Sequence, residues 1–234
     1  MPDDQPGLHQ VHVLYVVPSD KTPRKIESQI ERSIQLGNDW FSEQTGGSQI
    51  RFDTYQGRLD ITLVQINAEE EYMYSRGYYA LNRLWAEVGN LGFPISETKY
   101  YLLFYDGRNI DRCADSIAPG QIGANYLQAT YSYDGTDYPC VPSLTDPYVY
   151  LGSIHEILHG LGYVFGCSPH WVDKHLIDNP RDLMYTGEYD WDIYNMVLDV
   201  GHDDYYNHDI PNCPDLANSA FLDPLPENAE APPW

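Results

Sequence analysis

One ten-residue stretch, Ser153-Ile154-His155-Glu156-Ile157-Leu158-His159-Gly160-Leu161-Gly162, restricts this chain more than any other. It contains H-E-x-x-H inside a run that reads as a helix. At about 100° per residue, positions four apart share a face, so His155 and His159 can aim imidazole nitrogens at one point. Imidazole suits Zn²⁺, and two ligands one turn apart hold it without distorting the backbone. Ile154, Ile157, Leu158 and Leu161 form a separate apolar stripe that pins the helix to a core. The histidines are left on its flank, facing a cleft. Glu156 lies about 60° from His159 in projection, beside the metal position but not in it, where a carboxylate can take a proton from water. Read as surface residues the three would need no such arrangement, and the glutamate, the stripe and the glycine coincide as hydrolytic metal chemistry requires.

The rest of the chain supplies a scaffold of mixed elements. Val11 to Val17 reads as a buried first strand bounded by Pro18, with His12 a structural residue inside it. From Thr22 as N-cap and Pro23 as first helical residue, Ile26, Ile30, Ile34, Trp40 and Phe41 recur at near-helical spacing until Gly46-Gly47. Residues 49–55 and 59–66 read as two strands, and 69–91 as a helix whose Tyr72, Tyr79, Leu84, Trp85 and Val88 pack inward. Residues 99–105 form an apolar strand. Residues 110–142, rich in Gly, Pro, Asp and Tyr, read as a long loop region with one edge strand near 124–131. Thr145 or Asp146 caps the histidine-bearing helix, Pro147 lies in its first turn and Gly162 ends it. The tail 223–234 reads as extended and partly mobile. The expected fold class is α/β in the α+β sense, a mixed twisted sheet with a long backing helix and an active-site helix. Residues 1–234 are expected to form a single catalytic domain, with a sheet and helix part at about 8–162 and a small irregular C-terminal lobe at about 163–222.

The charge narrows the partners. With 35 acidic against 13 basic residues the formal net charge is -22, which repels nucleic acid and anionic lipid. Solubility accounts for that acidity, with calcium sites or a preference for cationic substrates as additions. No stretch is apolar enough to span a bilayer, and the first residues lack the regions of a signal peptide. Cys113, Cys140, Cys167 and Cys213 contain no C-x-x-C pair, which favours two disulfides over a thiolate metal site and implies an exported domain whose signal was removed. Pairing 113 with 140 and 167 with 213 closes local loops, although three pairings are open.

His155-Glu156-x-x-His159-x-x-Gly162 matches the first eight positions of H-E-x-x-H-x-x-G-x-x-H, and Asp182-Leu183-Met184-Tyr185 looks like the downstream Met-turn of the metzincin clan of zinc peptidases, which the chain thereby resembles. The turn is similar to that of matrixins. The resemblance implies three histidines on Zn²⁺, Met184 as an apolar floor, Glu156 as general base, Tyr185 shaping the site, and an edge strand holding a protein or peptide substrate. Its motifs cover Ser153 to Tyr185. The third-ligand slot of the pattern holds Phe165, which cannot bind zinc. Candidates for the missing ligand are His170, Asp173, His175 and Asp178. His175 lies nine residues before Met184, close to the matrixin separation, so it is taken as the third ligand and His170 as its competitor. Residues 163–174 then resemble the insertion of leishmanolysin-like members. A different zincin class would use a later glutamate, for which Glu188 is the nearby candidate. The acidic stretch 199–209 can offer oxygen ligands to Ca²⁺ without the EF-hand spacing; a hydrogen-bonded acidic loop is the plainer reading. The expectation is a secreted zinc endopeptidase, against the alternative of a non-catalytic zinc- or calcium-binding extracellular domain.

Overall fold

In the computed structural model, residues 3–93, 95–110, 112–164, 166–187, 191–232 and 234 are described. Phe165 and Glu188 lie outside them. The architecture grows from β1 (Gln10–Val17), whose eight residues are all buried. A strand hidden on both faces reads as a continuous apolar run, which is what Val11 to Val17 supplies. It is flanked by two parallel neighbours, β2 (Ile61–Gln65) and β3 (Lys99–Tyr105), with Val13 opposite both Ile61 and Leu102. Next to β3 comes β5 (Ile122–Tyr126), parallel, and the sheet closes on β4 (Ala114–Ser116), antiparallel to β5. The spatial order is β2-β1-β3-β5-β4.

Alternation along the strands divides the interior into two cores. Val11, Val13, Tyr15, Tyr100, Leu102 and Phe104 face α1 (Glu27–Thr45) and the histidine-bearing helix α4 (Pro147–Leu161). Leu14, Val16, Tyr101, Leu103 and Tyr105 face α3 (Ala80–Asn90). The mixed sheet with a long backing helix and the histidine-bearing helix is the expected α+β fold.

Several elements depart from expectation. Helix α1 begins at Glu27, not after Thr22. The cause is Arg24: its backbone N–H donates to the Tyr15 hydroxyl at 2.8 Å and its guanidinium forks onto Asp106 at 2.6 and 2.7 Å, which holds this stretch across the end of β1. The helix expected over 69–91 is split into α2 (Glu70–Tyr74), a short 3₁₀ turn and α3, with Gly77 at φ 51° between them. Leu84 and Val88 are buried, whereas Tyr72 and Tyr79 are exposed. The strands expected at 49–55 and 59–66 are broken into short pieces, of which only β2 joins the main sheet. The loop-rich region 110–142 holds four strands: β4, β5 and a hairpin of β6 (Thr130–Tyr133) and β7 (Thr136–Pro139). The edge strand within this region is therefore β4, while β2 forms the opposite edge of the sheet. Ile122 to Tyr126, part of which was expected at the edge, is an interior strand buried throughout.

The tail folds back on the body. The Glu230 N–H donates to the Asn218 carbonyl, the Glu230 carbonyl accepts from the Ala220 N–H, and the Trp234 ring packs near Tyr100 and Phe221. Arg51, 4% exposed, donates to the carbonyls of His9, Ala220 and Leu222 and so ties this segment to the sheet.

Gly160 shows how closely α4 approaches the sheet. A Cβ there would collide with the ring of Tyr100 on β3, whose hydroxyl donates to the Glu156 carbonyl at 2.8 Å. Gly160→Ala is expected to cost about 1–3 kcal/mol through overpacking, read as a lower midpoint in urea unfolding. An unchanged midpoint would mean that Tyr100 moves aside without cost.

Candidate metal and active site

Helix α4 is set by the signals its sequence carries. Asp146 is the N-cap, its carboxylate accepting the Tyr148 N–H at 3.0 Å; Pro147 follows, and Gly162 closes the helix at φ 76°. Left-handed backbone at that position favours glycine. The apolar stripe is fully engaged, with Ile154, Ile157, Leu158 and Leu161 at most 1% exposed. His155, Glu156 and His159 are almost as buried, yet line the cleft on the far side.

The third histidine comes from a two-residue hairpin. Strands β8 (Trp171–Val172) and β9 (His175–Leu176) pair antiparallel, and both turn residues, Asp173 and Lys174, have positive φ. Such turns match the twist of the flanking strands. This hairpin is fastened to the Met184 turn: the Leu176 N–H donates to the Met184 carbonyl at 2.9 Å and the Thr186 N–H to the Leu176 carbonyl at 2.8 Å. The nine-residue spacing from His175 to Met184 is thus a physical registration. Met184 is fully buried, and its N–H donates to Asp182 Oδ1 at 2.8 Å.

Ligand nitrogens of His155, His159 and His175 all lie within 4.8 Å of one another. Three nitrogens each about 2.0–2.1 Å from one tetrahedral ion would stand roughly 3.4 Å apart, and the Nε2 atoms of His159 and His175 are 3.0 Å apart. Orientation agrees with spacing. His155 Nδ1–H donates to the Leu183 carbonyl at 2.8 Å and His175 Nδ1–H to the Asp173 carbonyl at 3.0 Å, so in both rings Nε2 keeps its lone pair. Burial holds all three imidazoles neutral, driving His155 down to about 3, His159 well below its usual value and His175 lower as well. Neutral, oriented, convergent imidazoles fit Zn²⁺.

Glu156 stands beside this cluster. Burial raises its carboxyl to about 8, partly offset by a hydrogen bond from Ser116 on β4; a nearby dication would favour its charged form. The edge strand β4 therefore runs along the cleft mouth. Two cavities adjoin it, of about 830 Å³ and about 280 Å³, and both are lined by Ala114, His155 and Glu156. The smaller is polar, with Arg112 paired to Asp115 at 2.7 Å and Asp173 and Lys174 nearby.

The other candidates are placed elsewhere. His170 Nδ1 lies 2.9 Å from Asp204 Oδ2, and with Asp178 these form a separate group. Asp173 contributes its carbonyl to His175. Tyr185 is buried and accepts the Trp191 Nε1–H through its carbonyl at 2.8 Å. The expected calcium stretch is organised internally: Asp199 Oδ2 accepts the backbone N–H groups of Asp204, Tyr205 and Tyr206 at 3.3, 2.8 and 2.7 Å. That is the hydrogen-bonded loop. Asp182, pushed up to about 8 by burial, similarly accepts from Met184, Val200 and Tyr205.

Both disulfides follow the local pairing, Cys113–Cys140 and Cys167–Cys213. The second ties the His175 segment to the C-terminal loop. Sequence reasoning missed the residues around the cleft mouth: Ala114 and Ser116 on the edge strand, Arg112, and the aromatic wall of Tyr131, Tyr133, Tyr148 and Trp191. Only the density of tyrosine in residues 126–150 marked that wall.

No family model matches the chain, and no curated protein matches it. Likenesses to solved structures are weak, and two of them illustrate this. An archaemetzincin (amzA) from Methanopyrus kandleri aligns over 83% of this chain and 90% of its own, at 16% identity and a TM-score of 0.44. A chain of a chaperone–substrate complex aligns over 77% of this chain and 28% of its own, at 14% identity and a TM-score of 0.37. At these scores neither bears on chemistry, and the reading below rests on this chain's own residues.

Among the described residues no helix is long and apolar enough to cross a membrane.

Proposed function

We propose that the chain is a zinc-dependent endopeptidase of metzincin type, acting outside the cell as a single catalytic unit. The observation that carries this is the convergence of His155, His159 and His175 beside a buried glutamate and an edge strand. Bound Zn²⁺ would supply Lewis acidity toward the scissile carbonyl and lower the pKa of water. The chain's own groups do the rest. Glu156 takes a proton from the attacking water and returns it to the leaving amine. Strand β4 offers its free edge to an extended peptide, and backbone pairing of this kind leaves side-chain preference to the adjoining cavities. The Leu183 carbonyl fixes the His155 tautomer, and the Asp173 carbonyl that of His175. Two disulfides suit an oxidising compartment.

A non-catalytic zinc domain needs no carboxylate beside its ligands. Glu156, buried and lining the cleft together with the three histidines, favours turnover. The test is direct. Purified protein should carry one zinc per chain and cleave casein or a quenched peptide library, a chelator should abolish cleavage, and added Zn²⁺ should restore it. Zinc-loaded protein that cleaves neither would leave a binding domain.

A further inference from the structure

We propose that the aromatic cavity beside Glu156 receives a basic side chain of the substrate, its stem against tyrosine and tryptophan rings and its cationic head at Asp146. This rests on the endopeptidase reading for its biological meaning, though not for its physical test. The cavity, of about 830 Å³, has Tyr131, Tyr133, Tyr148 and Trp191 among its walls. Tyr133 is 62% exposed, and Tyr131, although one side of it stacks on Tyr138, is 51% exposed, so ring surface is accessible to a ligand in the cavity. Ring faces attract ammonium and guanidinium groups, and long aliphatic stems cover apolar surface while the head group stays polar.

Charge selects among side chains that would fit. Of the described lining residues only Asp146 and Glu156 carry a carboxylate, and none is Lys or Arg. An acidic side chain would meet like charge, and an apolar one would remove water from Asp146 and return nothing. A cation meets both needs. The field of a chain with net charge -22 concentrates cationic ligands at such a cleft. As an N-cap, Asp146 uses Oδ1 to accept the Tyr148 N–H, and an asparagine would cap equally well. The negative charge at this position is therefore not demanded by the helix end.

The wall is also built to stay in place. Hairpin β6–β7 is exposed at every residue and pairs within itself, with Tyr131 stacked on Tyr138 at 5.7 Å. Its base is bound to the edge strand's start by Cys113–Cys140, and both cysteines line the cavity.

The experiment has a binding arm and a cleavage arm. Calorimetric titration of the full chain, metal-free and zinc-loaded, would compare acetyl-Gly-Gly-Xaa-Gly-Gly-amide peptides with Xaa as Arg, Leu, Phe or Glu. The Arg peptide should bind about tenfold more tightly than the Leu peptide, and Asp146→Asn should collapse that ratio toward one. Equal binding of Arg and Leu, tighter binding of Leu or Phe, or a ratio untouched by Asp146→Asn would overturn the proposal. In the cleavage arm, mapped cut sites in a peptide library should show Arg or Lys enriched at one fixed position next to the scissile bond. Cuts with no basic preference would overturn the proposal and leave the endopeptidase intact. Selective Arg binding by a zinc-loaded protein that cuts nothing would leave the pocket standing and remove the endopeptidase.

Discussion

Glu156→Gln should retain one zinc per chain and lose about 10²–10⁴-fold in peptide cleavage. Glutamine preserves the shape of the side chain and removes its ability to take a proton. The ligand set is untouched, because His155 is held by the Leu183 carbonyl and His175 by the Asp173 carbonyl, neither of which depends on Glu156. The Tyr100 hydroxyl bonds the Glu156 backbone carbonyl, so the packing of α4 on β3 also survives. Metal analysis, thermal unfolding and a quenched-peptide assay on one preparation would separate the possibilities. Near-normal turnover with zinc bound would remove Glu156 from proton transfer. Loss of zinc together with activity would mean that Glu156 acts on the ligand geometry instead.

What was legible in the sequence, and what was not, follows from the range of the interactions involved. Helix α4 could be read from its cap, its proline, its stripe and its closing glycine because each is a local signal, and the structure uses Asp146, Pro147 and Gly162 in those places. The buried strands β1 and β3 were equally plain, since only a strand hidden on both faces is apolar without alternation. Helix α1 was misplaced at its start because Arg24 answers to Asp106, 82 residues away. No local pattern records that pairing. The edge strand was missed for a related reason: Ala114-Asp115-Ser116 has no strand composition, and its place is set by pairing with Ile122 to Tyr126. The tail's prolines suggested freedom, yet Trp234 packs near Phe221 and returns to Tyr100 on a strand far back in the chain.

His175 occupies a middle ground, because its spacing to Met184 carried the choice and the hairpin that explains the spacing was invisible. His175→Ala and His170→Ala should therefore fail in different ways. The first removes one of three convergent nitrogens and should weaken zinc binding by more than about 100-fold, with activity lost in parallel. Its fold should hold, since β9 is fixed to the Met184 turn by backbone bonds that alanine keeps. His170 faces Asp204, whose carboxylate is fully buried. Its removal should leave zinc stoichiometric and cost about 1–3 kcal/mol of stability, because Asp204 Oδ2 loses its imidazole partner while Oδ1 keeps the backbone N–H of residue 170. Titration with a chromophoric zinc chelator reads the first effect and urea unfolding the second. Tight zinc in His175→Ala together with zinc loss in His170→Ala would exchange the two roles. Tight zinc in both would show that neither is an essential ligand, and a cation held by two histidines of α4 would need its third protein donor elsewhere in the cleft.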